Sequence, residues 1–286
     1  MSYRILTDSC CDLSDSFYKE LNVDLVRLTV RYKGKDHSKY TPMWLKQMYD
    51  GLRQGEQTST SATNPEAWKE AMEPVVKQGE DLFVLAFSSG LSTTYQSAVI
   101  AAEELMEAYP ERKICVVDSL CASLGQGLLL YYACKQRDAG LSLLELTAWC
   151  EEWKFKLCHW FTVDDLMYLK RGGRVSAATA LVGTMLQIKP VLHVDNEGHL
   201  INVGKVRGRK ASIEALAKKM GETGLPGTNE TVFICHGDCI EDAKYLEKLV
   251  RENYGVKNVV IEYTGAVIGS HSGPGTLALF YLGEHR

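Results

Sequence analysis

The sequence lacks both the basic excess typical of nucleic-acid binding and the long apolar runs that cross a membrane. Its 286 residues carry 32 Lys and Arg against 36 Asp and Glu, a formal net charge of −4. Runs such as LLLYYAC at 128–134 are much shorter than the roughly 20 apolar residues that span a bilayer. The first residues turn polar after a short apolar stretch. We therefore expect a cytoplasmic protein without a nucleic-acid partner.

Paired metal-ligand spacing is also missing. The nine cysteines are odd in number, and no two of them stand in a CxxC zinc motif. Most lie in apolar contexts, as Cys115 does in KICVV, which favours reduced thiols that are buried as small hydrophobic side chains. CHGDC at 235–239 is a local cluster, which we interpret as a strand end running into a turn. We expect no metal site.

Two common motifs of catalysis and nucleotide binding are absent. The phosphate-binding pattern GxxxxGK[ST] does not occur, and GQG at 125–127 is only a fragment of a dinucleotide-binding motif. GSHSG at 269–273 has histidine where a GxSxG hydrolase has its serine. We therefore expect no nucleotide cofactor. A hydrolase or acyltransferase that pairs Ser92 or Ser89 with His271 in three dimensions stays open as an alternative.

The order of apolar and amphipathic segments predicts an α/β protein of two domains. YRIL, DLFVLAF and KICVV read as strands that alternate with helical stretches, which is typical of a parallel, Rossmann-like sheet. After residue 158 the pattern changes. An apolar helix-like segment follows RGGRVS, PVLHVDNEGHLINV reads as a hairpin, and TVFIC and VVIEY flank a helix. We predict domains at 1–157 and 158–286, with a mixed sheet in the second and a cleft between them.

Small polar residues stand at the ends of predicted elements in TDSCCDLS, TSTSATNPEAW, SSGLSTTYQSA and SHSGPGTLA. Capping explains each segment by itself. Asn64 before Pro65 marks a helix start, Thr93 and Gln96 have capping-box spacing, and the last segment reads as a glycine-rich turn ahead of a helix. Together, helix N-termini converging on one cleft would form an anion site. Hydroxyls of Thr60 and Ser92 would add neutral donors, which suit a small carboxylate held reversibly.

Basic residues concentrate in YLKRGGRVS and KVRGRKAS within an otherwise slightly acidic chain. A solvated surface is the simple explanation. The alternative is that Arg174 and Arg207 meet a negative ligand group or an acidic partner, because a guanidinium binds carboxylate and phosphate through paired donors.

These segments, in order with VVDSLCASLGQG and GTMLQIKPVLHV, resemble the DegV family across essentially the whole chain. The resemblance implies a two-domain lipid-binding protein with one long-chain fatty acid in a tunnel between the domains. It also implies that the protein is a non-catalytic subunit of fatty-acid kinase. It would present the acyl carboxylate to a separate ATP-dependent kinase subunit and carry away the acyl phosphate, with transient membrane contact for lipid exchange.

Position by position, the resemblance implies that Thr60 and Ser92 bind the carboxylate. His271 falls on the head-group histidine, with Ser89 beside it, and Arg174 and Arg207 fall on arginines near the head group and the kinase-docking surface. The chain departs from the family at Ala62, Thr63 and Thr93, so Thr58 competes with Thr60 as the donor. A pocket for another small carboxylic acid is the remaining alternative.

Overall fold

The computed structural model describes residues 3–176 and 187–286. The strands are β1 Tyr3–Asp8, β2 Val23–Val26, β3 Thr29–Tyr32, β4 Lys35–His37, β5 Thr58–Ser61, β6 Asp81–Ala86, β7 Ile114–Asp118, β8 Leu157–Thr162, β9 Ile188–Val194, β10 Leu200–Arg207, β11 Thr231–His236, β12 Asn258–Tyr263 and β13 Leu277–Leu282. The helices are α1 Asp15–Glu20, α2 Pro42–Arg53, α3 Pro65–Lys77, α4 Thr94–Ala108, α5 Leu124–Asp138, α6 Leu143–Trp153, α7 Met167–Arg171, α8 Arg209–Thr223, α9 Ile240–Tyr254 and α10 Ala266–Ser272. The apolar helix predicted after RGGRVS lies outside the described residues.

The first layer is a parallel sheet with strand order β2-β1-β6-β7. All six residues of β6 are buried, as expected for a central strand covered on both faces by helices. The strands run in one direction, so their carboxyl ends share one edge of the sheet. The predicted parallel α/β unit is confirmed, and the polar loops that follow β1, β6 and β7 start from that edge.

The second layer is a mixed sheet with order β10-β9-β8-β13-β11-β12. Only β11 and β12 pair in parallel, because α9 connects them, and the other neighbours are antiparallel. The predicted hairpin forms β9 and β10, with a turn at 195–199 closed by the Asp195 N–H on the His199 carbonyl, 3.0 Å. The predicted mixed α/β architecture is therefore confirmed.

One apolar cluster joins the two sheets. It includes Phe83 of β6, Leu128 of α5, and Phe161, Phe233 and Phe280 of the second sheet. The chain passes from one sheet to the other at Leu157, next to the predicted boundary at 157/158. The division into 1–157 and 158–286 stays a prediction, and its two parts share this core.

Two of the sequence expectations at element ends are wrong. In SHSGPG the first three residues form the last turn of helix α10, and the glycine-rich turn after them leads into strand β13, not into a helix. The six apolar residues of β13 are all buried between β8 and β11, and a short apolar run carries no periodicity to separate a buried strand from a helix. Thr93 precedes α4 without a side-chain capping bond, so the capping box does not form.

Other local expectations hold. Asn64 caps α3, with its side-chain oxygen 2.9 Å from the Ala67 N–H. Cys235 and His236 are the last two residues of β11 and Cys239 precedes α9, so CHGDC is a strand end running into a turn. The cysteines are free, and burial raises the pKa of Cys235 to about 12. None of the helices in the described part of the chain has the length and apolar character needed to cross a bilayer.

Candidate head-group site and cavity

A cavity of about 700 Å³ lies between the two sheets. Its apolar wall includes Phe87 after β6, Phe161 and Phe280 of the second sheet, and Val194 and Leu200 of the hairpin. Both layers therefore contribute side chains, as expected for a pocket at the carboxyl ends of the parallel strands. The cavity is suited to an apolar ligand, and its polar groups decide how such a ligand is oriented.

Thr60 and His271 form the first polar pair in the cavity wall. The Thr60 Oγ1 lies 2.7 Å from His271 Nε2 across 211 residues of sequence. Strand β5 presents the threonine, because its register with β3 is fixed at Val30 opposite Thr60, and the last turn of α10 presents the histidine. Gly172 lies against the ring, since a Cβ atom there would come within 2.3 Å of His271 Nδ1.

His271 is neutral at physiological pH. Burial, with a smaller contribution from the nearby Arg174 cation, lowers the pKa of His271 to about 4. A neutral ring offers one N–H donor and one acceptor. Thr60 therefore lies in a hydrogen-bonded pair that carries no net charge. It can donate its hydroxyl proton to a ligand when His271 Nε2 donates to Thr60.

Ser92 lies at the start of α4 and also lines the cavity. Its Oγ accepts a hydrogen bond from the Thr94 N–H at 3.2 Å and lies 2.8 Å from the Thr94 hydroxyl. Ser92, not Thr93, therefore satisfies a free N–H at this helix end. When Thr94 donates its own proton, the Ser92 hydroxyl proton is free to bind a ligand acceptor.

Asp8 holds the loop that carries Ser92. Its fully buried carboxylate accepts hydrogen bonds from the Cys10 N–H at 2.9 Å and the Phe87 N–H at 2.7 Å. Gln126 Nε2 lies 3.3 Å from Asp8 Oδ2, the oxygen that accepts the hydrogen bond of the Phe87 N–H. The polar segment TDSCCDLS thus supports the loop that carries Ser92 and does not line the cavity.

Arg174 is half-buried in the cavity wall near His271. Its Nε and Nη2 donate to the Leu91 carbonyl at 3.2 and 3.0 Å, and its Nη1 donates to the Gly172 carbonyl. Burial lowers the pKa of Arg174 from its usual range. This cation therefore links the residue before Ser92 to the turn beneath His271, and it adds positive potential to the site.

The remaining sequence candidates lie in different places. Ser89 is an exposed residue of the cavity wall, and its N–H donates to Asp118 Oδ1 at 3.2 Å. Arg207 is exposed at the end of edge strand β10 and is not in the cavity wall. Thr58 pairs with Tyr32 on β3 outside the wall that contains Thr60. Within the described residues, His271 is hydrogen-bonded to Thr60 and not to Ser89 or Ser92.

Sequence reasoning missed Asp12 and Ser123. The Ser123 hydroxyl donates to Asp12 Oδ2 at 2.5 Å, and Ser123 itself lines the cavity. Burial raises the pKa of Asp12 to about 7 and that of Asp8 to about 6. No local pattern connects residues 111 positions apart, so this pair was not accessible from sequence spacing.

A group of metal-ligand type occurs elsewhere, at the turn between β9 and β10. It consists of Asp195, Glu197 and His199. Asp195 Oδ1 already accepts hydrogen bonds from the backbone N–H groups of Glu197 and His199, at 3.0 and 2.8 Å. This carboxylate closes the hairpin turn, and the group is not part of the cavity wall.

The fold and the site together define an α/β protein with an apolar cavity between its two larger sheets, and hydroxyl donors lie beside Arg174 at the polar end of that cavity. A sequence profile described as "Uncharacterised protein, DegV family" matches residues 2–284. The chain is 46% identical to a DegV domain-containing protein of Clostridium perfringens, over 99% of this chain and 98% of the relative. This protein therefore belongs to the DegV family.

Solved structures show the same fold. A DegV lipid-binding protein of Thermotoga maritima superposes with a TM-score of 0.87 at 31% identity, covering all of both chains. A DegV family protein of Thermus thermophilus, described for its fatty-acid binding, gives a TM-score of 0.88 at 28% identity. It covers 99% of this chain and 100% of that one. Both of these DegV proteins are described as binders of lipid or fatty acid.

Proposed function

We propose that this protein binds one long-chain fatty acid in the cavity between its sheets and presents the carboxylate to a separate ATP-dependent kinase subunit, which converts it to acyl phosphate. The observation that carries the proposal is the uncharged Thr60–His271 pair in the wall of an apolar cavity that also contains Ser92. Hydroxyl donors bind a carboxylate without the tight ion pair that an enclosed arginine clamp would form. The ligand would therefore be held with its carboxylate still reactive.

The apolar wall supplies most of the affinity in this proposal. An acyl chain of some 16 carbons gains a gross free energy on the order of 10 kcal/mol at roughly 0.8 kcal/mol per buried CH₂. Each hydroxyl hydrogen bond adds only about 1 kcal/mol net. The acyl chain therefore decides whether the ligand stays bound, and Thr60 and Ser92 decide which way the ligand points.

The phosphoryl chemistry belongs to another protein in this proposal. The sequence lacks the GxxxxGK[ST] loop that would hold nucleotide phosphates, and a carboxylate that attacks phosphorus needs no proton acceptor. We assign Ser89 and Arg174 to the head-group end, because both lie in the cavity wall. Arg207 is exposed on β10, which suits contact with the kinase rather than with the ligand.

The same proposal includes the domain division at 157/158, a cytoplasmic location and transient membrane contact. With this domain division the cavity would lie between the two domains, since its wall combines Phe87 with Phe161 and Phe280. The other two follow from the ligand, which would be collected from a bilayer and delivered to a kinase.

Mass spectrometry of the organic extract, beside native mass spectrometry of the intact chain, tests the proposal. We expect one fatty acid per chain in protein purified from cells. A protein that is empty and remains empty after incubation with a panel of free fatty acids would contradict it. Retention of a short polar acid instead would favour the small-acid alternative.

A double variant separates the roles of the two ends of the cavity. Thr60→Ala with Ser92→Ala removes both proposed donors while it leaves the apolar wall intact. We expect phosphoryl transfer in the presence of a fatty-acid kinase to fall more than acyl retention does. Thr58→Ala, on the same strand but outside the wall, is the matched control. Equal loss of transfer and retention would count against this division of roles.

A further inference from the structure

Arg286 is a half-buried guanidinium that is fully hydrogen-bonded to other parts of the chain. Its Nε donates to the Leu157 carbonyl at 3.1 Å, and its Nη1 donates to the carbonyls of Leu120 at 2.6 Å and Asp195 at 3.0 Å. Its Nη2 donates to Cys121 Sγ at 3.2 Å and to the Lys154 carbonyl. The five N–H groups of the side chain therefore reach three separate segments.

Two of these segments lead directly into the cavity wall. Leu120 and Cys121 precede Ala122 and Ser123, both of which line the cavity. Asp195 follows the wall residue Val194 at the end of β9. The third segment, 154–157, is the connection by which the chain crosses from the first sheet to the second. Arg286 thus joins both layers at the back of the cavity wall.

The segment held by Arg286 has a strained backbone. Leu120 and Ser123 adopt positive φ angles of 50° and 54°, which residues other than glycine rarely adopt. Such conformations persist only where surrounding contacts fix them. Arg286 bonds to this segment at Leu120 and Cys121, while Asp12 accepts the Ser123 hydroxyl from the other side.

The same segment is hydrogen-bonded to the loop at 87–93, which carries Ser89 and Ser92. The Ser88 N–H donates to the Cys121 carbonyl at 3.2 Å, and the Ser88 hydroxyl donates to the Gly198 carbonyl at 3.0 Å. Ser88 directly precedes the wall residue Ser89. Arg286 bonds to Cys121 and to the hairpin turn, and both of these also bond to Ser88 in the loop that carries Ser89 and Ser92.

We propose that Arg286 is a positioning residue that fixes the wall at Ala122–Ser123 and Val194 and thereby sets which acyl chains the cavity accepts. It touches no ligand in this role. The part that concerns acyl selection rests on the proposed function, whereas the part that concerns the wall does not. A looser wall would accommodate chains of different length with more nearly equal affinity.

Hydrogen exchange of ligand-free protein tests the wall directly. We expect Arg286→Ala to raise amide exchange in peptides that cover 119–125 and 193–198 at least about tenfold, because these segments lose their shared donor. Arg137→Ala is the matched control. Arg137 also bridges backbone carbonyls, those of Leu21 and Asn22, but these acceptors are not next to any residue of the cavity wall. Unchanged exchange at 119–125 in Arg286→Ala would overturn the proposal.

A competition assay tests the selectivity. Wild type and variants are offered an equimolar mixture of saturated fatty acids of graded length, and native mass spectrometry reports which are bound. We expect the preference of Arg286→Ala for the best chain over its neighbour to fall by about fourfold, the factor that one buried methylene is worth, while Arg137→Ala keeps the wild-type profile. Should wild type bind no fatty acid, the proposed function fails and the exchange result still stands.

A conservative variant guards against simple unfolding. Arg286→Lys keeps the positive charge, but one ammonium group cannot reach three segments. We expect partial recovery of exchange protection at one segment and little recovery of chain-length preference. Full recovery of both by lysine would overturn the bridging role, because charge alone would then suffice.

Discussion

Two polar regions beside the cavity are built in opposite ways. Thr60, Ser92 and His271 are partly exposed in the cavity wall, and their few hydrogen bonds leave donor capacity unused. Asp8 and Asp12 are buried behind the wall, and their carboxylates accept from backbone and side-chain donors of the surrounding loops. The first region is suited to bind a ligand, whereas the second holds the loops that present it.

The two regions also differ in charge. An ionised carboxylate beside the head-group end would repel a fatty-acid carboxylate. Burial raises the pKa of Asp12 to about 7, which removes part of the negative charge of this group near neutrality. Arg174 lies on the ligand side instead. The fold thus keeps its buried acids on the supporting side and its cation on the binding side.

The largest expected effect is on the supporting region. Asp8→Ala removes the acceptor of the Cys10 and Phe87 N–H groups and leaves both buried donors unsatisfied. We expect the free energy of unfolding to fall by about 4 kcal/mol, measured by urea denaturation. Asp36→Ala, which removes an exposed carboxylate, is the control and should change stability by less than about 0.5 kcal/mol. If Asp8→Ala lowered the free energy of unfolding as little as Asp36→Ala does, the loop would be held by other contacts.

The buried acids should also give a pH dependence. Because the pKa of Asp12 is raised by folding, the folded chain binds its proton more tightly, and stability from this group is lost as pH rises from about 4 to about 7. Relative to Asp12→Asn, we expect wild type to lose up to about 1.4 kcal/mol per pH unit in this window. The variant comparison is needed because buried histidines, whose pKa values are lowered, titrate in the opposite sense. Parallel stability curves for the two proteins would refute a raised pKa at Asp12.

The binding region should respond in affinity rather than stability. Thr60→Val keeps the shape of the side chain and removes the hydroxyl that bonds His271. We expect fatty-acid affinity to fall by about tenfold, equivalent to about 1.4 kcal/mol. Thermal unfolding of the ligand-free protein should hardly change, because the site is partly exposed. A large loss of stability with unchanged affinity would reverse the proposed roles of the two regions.

The smallest effect is expected from a pair of adjacent glycines. Gly172→Ala would place a methyl group against His271 Nδ1, whereas Gly173→Ala meets no atom within 4 Å but has an unfavourable φ of +74°. We expect Gly172→Ala to weaken fatty-acid binding by about threefold through displacement of the ring. Gly173→Ala should cost about 1 kcal/mol of stability and leave binding unchanged. Isothermal titration measures binding and urea unfolding measures stability. Equal effects of Gly172→Ala and Gly173→Ala on binding would show that His271 is not part of the binding site.

Much of the fold was predictable from local pattern. The strands around Ile5, Phe83 and Val117 and the hairpin at 195–199 follow from apolar runs and turn residues. β13 and the capping box at the start of α4 were predicted wrongly, for two reasons. A short buried strand has no distinguishing period, and Thr93 has capping-box spacing without forming the bonds. Local sequence reports backbone preference, and tertiary contacts decide which donor is used.

The sequence by itself determined the two α/β patterns, the absence of a phosphate-binding loop, and Thr60, Ser92 and His271 as candidates for the head-group site. Only the tertiary structure decided that Thr60 pairs with His271, that Arg207 lies outside the cavity, and that Asp12 and Arg286 hydrogen-bond to the segment 120–123 beside its wall. The physical reason is that a hydrogen bond depends on distance in space. Residues 60 and 271 meet because α10 packs beside β5, a contact that no spacing along the chain records.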